Sequence, residues 1–486
     1  MISRRKFLKR SGKAAGASIA LGGFLARAYS QGTTVGPMAA TALSNTDRVL
    51  VIVRLDGGND GLNTLIHYQN DHYYQARPIL GIQANEVRRN KLDDEHGFHP
   101  NLGGFHQLHE EGKFLTIQGV GYPNPDRSHF RSTDIWMTGS ESDEFLTTGW
   151  LGRYLDAVNP DFPNTLSRHP LAIDIGPVLS LALIGKGGGM GIALRDPREF
   201  SSLVNLGNQI IDSNQIPTPA GYELDFVRQV NRESIQYAGE LRTAGEKGSN
   251  KVEYPDSTLA SQLALIARLI DGGMESRVYL VSQRGYDTHS NQLSRHESLM
   301  SDLGEAILAF QRDISALGHE DRVLGMTISE FGRRVKENGS AGTDHGTSAP
   351  VFLFGPHLQA GILGEDPDFS NTDDRGDFYH SYDFRQVYAS ILSQWFEIPD
   401  QVLTGILPSA SQAGRALGST TMLPIIHPIR TNESDFNNDG VVDFQDFLKF
   451  VDGFKRGDTR YDLDQDGQTG FSDFLAFARA FGRRSS

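Results

Sequence analysis

Six side chains suited to holding a divalent cation stand at the ends of short apolar runs: Asp56, Asp287, His289, Glu330, Asp344 and His345. Asp56 closes the run from Val49 and opens Gly57-Gly-Asn-Asp-Gly61. Asp287 and His289 follow the run from Val278; two residues apart in extended chain, they share a face, and carboxylate plus imidazole is a normal first-row metal pair. Glu330 closes the run from Val323, and Asp344-His345-Gly346 stands just ahead of another at Pro350–Phe354. In open α/β sheets ligands collect beyond the carboxyl ends of the strands, and glycines there let the backbone approach what the carboxylates hold. Singly, each stretch also reads as a polar turn after a core strand. Four of them in one alternating β/α chain point to a single rim with converging ligands for a divalent metal: zinc, manganese or calcium.

A second group lies in Pro125-Asp-Arg127-Ser128-His129-Phe-Arg131. Pro-Asp followed by serine reads as a turn into a helix, so the Ser128 hydroxyl sits in the positive field of a helix N-terminus, which favours anions and eases ionisation. Ser128 alone reads first as an ordinary N-cap; Arg127, His129 and Arg131 beside it favour an anion site, with Ser128 as nucleophile and Arg127 or Arg131 steadying the anion.

A third group is calcium chemistry. Asp435, Asn437, Asp439, Asp443 and Asp446 occupy positions 1, 3, 5, 9 and 12 of a loop with glycine at 6, and Asp462, Asp464, Asp466 and Asp473 occupy 1, 3, 5 and 12 of another, 27 residues on. Val441 and Gln468 stand at position 7, which ligates through its carbonyl. Each loop runs into a helix with matching aromatics, Phe447, Phe450 and Phe454 in the first and Phe474, Phe477 and Phe481 in the second. Two such helices bury a small core only when calcium neutralises the carboxylates; the alternative reading of the segment is an acidic disordered tail, which would lack the ordered aromatics.

The elements that must position these groups follow from the rest of the chain. Its 486 residues allow two or three domains. There is no cysteine, which excludes disulfides and thiolate metal sites. Residues 1–28 carry seven basic and no acidic side chains; without them the net charge falls from −14 to −21, which argues against nucleic-acid binding. Ser3-Arg4-Arg5-Lys6-Phe7-Leu8-Lys9, an apolar stretch from Ala14 to Leu25 and Ala26-Arg27-Ala28 make a twin-arginine signal peptide with its cleavage site, the alternative being a basic amphipathic helix. Export as a folded, periplasmic, extracellular or cell-surface protein follows, with no integral membrane segment after signal removal. Residues 29–46 read as a linker, 47–430 as the main domain with a helical insertion at about 150–260 (helices at Leu224–Leu241 and Leu259–Ile270), and 431–486 as the calcium module. The spacing of Leu299, Leu303, Ile307, Phe310, Ile314 and Leu317 predicts a covering helix.

Leu55-Asp-Gly-Gly-Asn-Asp-Gly-Leu-Asn63, Ser128-His-Phe-Arg131, Tyr286-Asp-Thr-His289, Ser329-Glu-Phe-Gly-Arg333 and Gly342-Thr-Asp-His-Gly346 together resemble the family called domain of unknown function 1501, over Arg48 to Pro399. That family is similar to the alkaline phosphatase and sulfatase superfamily. The resemblance implies a three-layer α/β/α sandwich with a mostly parallel sheet, beside a small all-α C-terminal pair. It implies Asp56 as the first metal-binding Asp, Ser128 at the nucleophile position, Asp287 and His289 as a second ligand pair and His345 as the last histidine ligand. Glu330-Phe331 replaces the usual Asp-His pair, and the Cys-x-Pro-Ser-Arg sulfatase signature is absent. With Asp at position 12, the tail resembles dockerin modules, which implies a cohesin-like or cell-surface partner. The expected function is metal-dependent hydrolysis of a small phosphate or sulfate ester; the alternative is a non-catalytic surface or scaffold protein of the same fold.

Overall fold

The computed structural model describes residues 47–87, 93–196, 236–408, 422–427, 434–437, 441–458, 461–463 and 469–482. Two compact units result, Met1–Ile425 and Ile426–Ser486. The twin-arginine segment and the linker lie outside the described residues, as do 224–235 of the expected Leu224–Leu241 helix. Among the described residues no helix is long and apolar enough to cross a membrane.

The large unit is built on one nine-stranded sheet. Its strands are β1 (Val49–Asp56), β2 (Phe114–Gly121), β3 (Ala172–Ile175), β4 (Ile192–Leu194), β5 (Val278–Arg284), β6 (Val323–Ser329), β7 (Ala349–Phe354), β8 (Gly361–Leu363) and β9 (Tyr382–Asp383). The order is β8-β2-β7-β6-β1-β5-β3-β4, with β9 also paired to β2. β1 lies at the centre, parallel to both β6 (Val49 opposite Val323) and β5 (Leu50 opposite Val278). It is buried on both faces, which is what an unbroken β-branched run requires of a central parallel strand. Strand β7 alone runs antiparallel, against both β6 and β2. Its N-terminal end therefore lies on the same rim as the C-terminal ends of its neighbours.

Helices cover both faces. Val49, Val51, Val53 and Leu55 pack with α1 (Gly103–Glu110), α4 (Thr258–Asp271) and the long α5 (Gln292–Ala316) in one core. α5 buries Leu299, Leu303, Ile307, Phe310 and Ile314, as its spacing predicts. The opposite layer is aromatic: Trp136 of α2 (His129–Thr138), Trp150 of α3 (Trp150–Val158), and Phe384 and Tyr388 of α6 (Phe384–Ser390) stack in a row, Trp150 on Tyr388 at 4.1 Å between centroids. This is the mostly parallel α/β/α sandwich expected. One expectation is corrected: residues 150–260 are not a purely helical insertion, because β3 and β4 fall within them and extend the main sheet beyond β5. Those strands are three or four residues long, too short for a period to show.

Among its described residues the small unit has two helices, α7 (Phe444–Arg456) and α8 (Phe471–Ala480), around Val442, Phe450, Tyr461, Phe477 and Ala480. Of the predicted aromatics, Phe450 and Phe477 are buried, whereas Phe454, Phe474 and Phe481 are exposed. The two position-12 carboxylates are fully buried and reach back to their loops in the same way. Asp446 accepts from Asn437 N and Asp443 N (both 2.9 Å), and Asp473 from Leu463 N and Gly470 N (both 2.5 Å). Asp435 is buried as well. Asp439, Asp464, Asp466 and Gln468 lie outside the described residues.

Candidate metal centre

Three histidines and one aspartate meet at the rim: His129 from the first turn of α2, Asp287 and His289 from the loop after β5, and His345 from the loop ahead of β7. His289 Nε2 lies 3.0 Å from His345 Nε2. Asp287 Oδ1 is 3.0 Å from the first and 3.2 Å from the second, and Asp287 Oδ2 is 3.5 Å from His129 Nε2.

What turns this cluster into a ligand set is the other nitrogen of each ring. His129 Nδ1 meets Glu330 Oε1 at 3.0 Å, His289 Nδ1 meets Asp344 Oδ1 at 2.9 Å, and His345 Nδ1 meets the carbonyl of Arg127 at 2.7 Å. Carboxylates and carbonyls only accept, so each Nδ1 carries the proton and donates it. With the rings neutral, every Nε2 is then a bare lone pair facing inward, and two of them 3.0 Å apart cannot hydrogen-bond to each other. A cation resolves that arrangement, and imidazole N–H groups anchored to carboxylates and carbonyls are how metal-binding histidines are oriented. The donor set fits a first-row cation of zinc type better than magnesium or calcium, which take oxygen ligands.

Arg333, buried, ties the loops together. Its Nη2 donates to Asp287 Oδ1 (2.7 Å), Tyr286 O (2.9 Å) and Gly57 O, its Nε to Gly58 O (2.9 Å) and its Nη1 to Thr343 O (2.9 Å). Burial alone would raise the Asp287 carboxyl; the bond and charge of Arg333 lead the effects that bring it down to about 2. Burial pushes the His345 imidazole below its ordinary range, which keeps its ring neutral, and the bond from His289 holds Asp344 low. Gly57 has φ +120°, and a Cβ there would lie 2.3 Å from Asp287 N, so only glycine lets this loop lie against the ligand loop. Phe331 packs against the rings of His345 and His129 at 4.6 and 5.1 Å between centroids, an apolar wall where the resemblance implies a second metal ligand.

Of the sequence-predicted residues, Asp287, His289 and His345 come together. Glu330 and Asp344 stand behind them, as partners of His129 and His289, rather than facing the ion. The same Glu330 oxygen that meets His129, Oε1, also accepts from Gly57 N at 2.8 Å. Asp56 is placed differently: its carboxylate is clasped by Arg54, two residues back on the same face of β1, through Nε and through Nη2 at 3.0 Å. Ser128 is the exposed N-cap residue of α2, and no capping hydrogen bond engages its hydroxyl. Arg127 and Arg131 do not point at an anion. Arg127 is paired with Asp373 (2.6 Å) and Asp377 (2.9 Å), while Arg131 donates to the carbonyls of Glu141, Ser142 and Glu144 and lies over the Phe145 ring. Sequence reasoning missed His129 as a ligand, since it sits inside a helix start rather than at a strand end, and missed Arg333, although both stand within the quoted motifs.

Residues 47–406 match the family described as "Protein of unknown function (DUF1501)". No curated protein matches the chain. Among solved structures, the PsFucS1 sulfatase from Pseudoalteromonas sp. aligns at 11% identity over 75% of this chain and 71% of that one, with a TM-score of 0.32. Ps i-CgsB, solved in complex with k-i-k-neocarrahexaose, aligns at 11% identity over 76% and 77%, with a TM-score of 0.31. A mutant of TAB5 alkaline phosphatase with Mg bound aligns at 10% identity over 64% and 91%, with a TM-score of 0.27. With a match that takes in all five rim motifs and most of the chain, the protein belongs to the DUF1501 family.

Proposed function

We propose that the large unit is an exported, metal-dependent hydrolase of phosphate or sulfate esters. The observation that carries this reading is the set of three inward Nε2 atoms around Asp287, each ring anchored through Nδ1. His129, His289, His345 and Asp287 would hold the cation, which would supply Lewis acidity at the ester oxygens. Ser128 precedes His129 directly, and its hydroxyl, at the N-terminus of α2, is the candidate nucleophile. With Arg127 and Arg131 engaged elsewhere, the backbone N–H groups of the first turn of α2 remain to receive the anion. A zinc-loaded chain should hydrolyse p-nitrophenyl phosphate or p-nitrophenyl sulfate, and Ser128→Ala should lose most of that turnover while still binding zinc. Unchanged turnover in the variant removes Ser128 as nucleophile; no turnover of either ester by the loaded wild type removes the hydrolase reading.

One observation favours a second reading, a non-catalytic surface or scaffold protein: the carboxylate expected to bind metal first, Asp56, is occupied by Arg54, and Phe331 walls the remaining side.

The same proposal takes residues 1–28 as a twin-arginine signal and 431–486 as a dockerin-like pair of calcium loops. Supporting the calcium reading are the buried Asp446 and Asp473. Supporting a protein partner are exposed apolar side chains repeated at the loop offset, Phe444 with Phe471 and Leu448 with Leu475.

A further inference from the structure

We propose a second cation site in the large unit, formed by His67, His96 and Asp366, for a first-row transition ion of zinc type. None of these residues belongs to the rim centre. His67 follows the short strand Leu65–Ile66 and His96 precedes its antiparallel partner Gly97–Phe98. The register sets Leu65 opposite Phe98 and Ile66 opposite Gly97, so its continuation sets His67 opposite His96. The two rings meet edge to face with centroids 4.8 Å apart. Asp366 comes from the loop after β8, with Oδ1 2.6 Å from His96 Nε2 and Oδ2 3.6 Å from His67 Nδ1.

Two features suit this cluster to an ion. His96 Nδ1 is held by Asp93 at 2.9 Å, the anchoring seen behind each histidine of the rim centre, which turns His96 Nε2 toward Asp366. His67 is 4% exposed, and its Nδ1 has no hydrogen-bond partner; at 3.6 Å the Asp366 oxygen it faces is too far to accept. A buried polar atom left so is costly unless something else meets it. One ligand atom from each of the three residues lies within 4.8 Å of the others, the span a single ion bridges.

Two imidazoles and a carboxylate are borderline donors, suited to zinc and not to calcium. Three protein ligands are one short of a closed tetrahedral set. A cavity of about 50 Å³ opens on the His67 side of the cluster, lined also by Gln118 and by Glu365 and Pro367, the chain neighbours of Asp366, and has the size to hold a water beside it. Asp366 is 43% exposed, so an ion can reach the site from solvent. Bound there, the ion would tie the Leu65–Phe98 ribbon to the loop after β8, segments joined by no strand pairing.

The test counts zinc. The full chain, saturated with Zn²⁺ in excess calcium and then dialysed, is analysed by elemental mass spectrometry beside Asp366→Asn and His67→Gln. The expected result is one zinc fewer per chain in each variant, with His289→Ala and His345→Ala removing a different zinc. Zinc content equal to wild type in both Asp366→Asn and His67→Gln overturns the proposal. Should a variant not fold, Co²⁺ added to the His289→Ala/His345→Ala chain gives a second measurement: a visible d–d band from bound Co²⁺ is expected, and its absence also overturns the proposal. Because the rim ligands are changed separately, failure here is distinguishable from failure of the hydrolase reading.

Discussion

Replacing Glu330 by glutamine separates two roles for that carboxylate. Glu330 is 7% exposed and accepts from His129 Nδ1 at 3.0 Å and from Gly57 N at 2.8 Å. Glutamine keeps the shape and one acceptor oxygen but loses the charge that receives the imidazole proton. Removing such a partner behind a metal-binding histidine costs about 10- to 100-fold in metal affinity, which is about 1.4–2.7 kcal/mol. Competition for Zn²⁺ against a chromophoric chelator reads this directly. Thermal unfolding reads it by linkage: at zinc about 100 times the wild-type Kd the ion stabilises the fold by about 2.7 kcal/mol, and a 30-fold weaker variant would retain about 0.9 kcal/mol of that. Wild-type zinc affinity in Glu330→Gln would refute the reasoning, since the anchoring of His129 would then do nothing. A loss as complete as that of His345→Ala would make Glu330 itself a ligand, the role the sequence predicts for it.

Stability should fall in mild acid. Burial holds His99 at about 3 and His296 at about 4, so as pH falls through 6.5 the unfolded chain takes up two protons that the folded chain refuses; between pH 6.5 and 5 this removes about 3 kcal/mol, and urea midpoints that stay level across that window would contradict it. Calcium removal should unfold the small unit, because the loop carboxylates gathered at each end, Asp435, Asp443 and Asp446 in one loop and Asp462 and Asp473 in the other, then repel one another with no cation between them, and so small a core has little stability to spare. Proteolysis confined to residues 431–486 after chelation, with zinc binding by the large unit unchanged, is the expected result; equal resistance with and without calcium would exclude calcium as the element that holds it together.

Much of the frame was legible because it rests on local pattern. β1, β5 and β6 are β-branched or apolar runs cut off by a carboxylate or glycine, and the apolar stripe of α5 repeats over about four turns, from Leu299 to Ile314. The 27-residue offset of the calcium loops is likewise a property of the chain alone. The roles of charged residues were not legible in this way. Asp56 carries the sequence marks of a ligand, yet Arg54 shares its face of β1 and takes both oxygens. Arg127 and Arg131 flank the candidate nucleophile in sequence, but their guanidinium groups extend to Asp373, Asp377 and the carbonyls of residues 141–144.

By itself, then, the sequence determined the longer strands and helices, that polar loops follow those strands, and that Asp287, His289 and His345 carry side chains of the types that ligate metals. The tertiary structure decided which of these meet. β1 pairs with strands more than 200 residues away, and β7 reverses direction, which carries His345 to the rim occupied by Asp287. His129, the buried Arg333 and the cluster of His67, His96 and Asp366 exist as sites only through such long-range pairings. The physical reason is range: backbone preference and hydrophobic period act over a few residues, whereas a ligand set is fixed by the order and direction of strands that the chain brings together from its whole length.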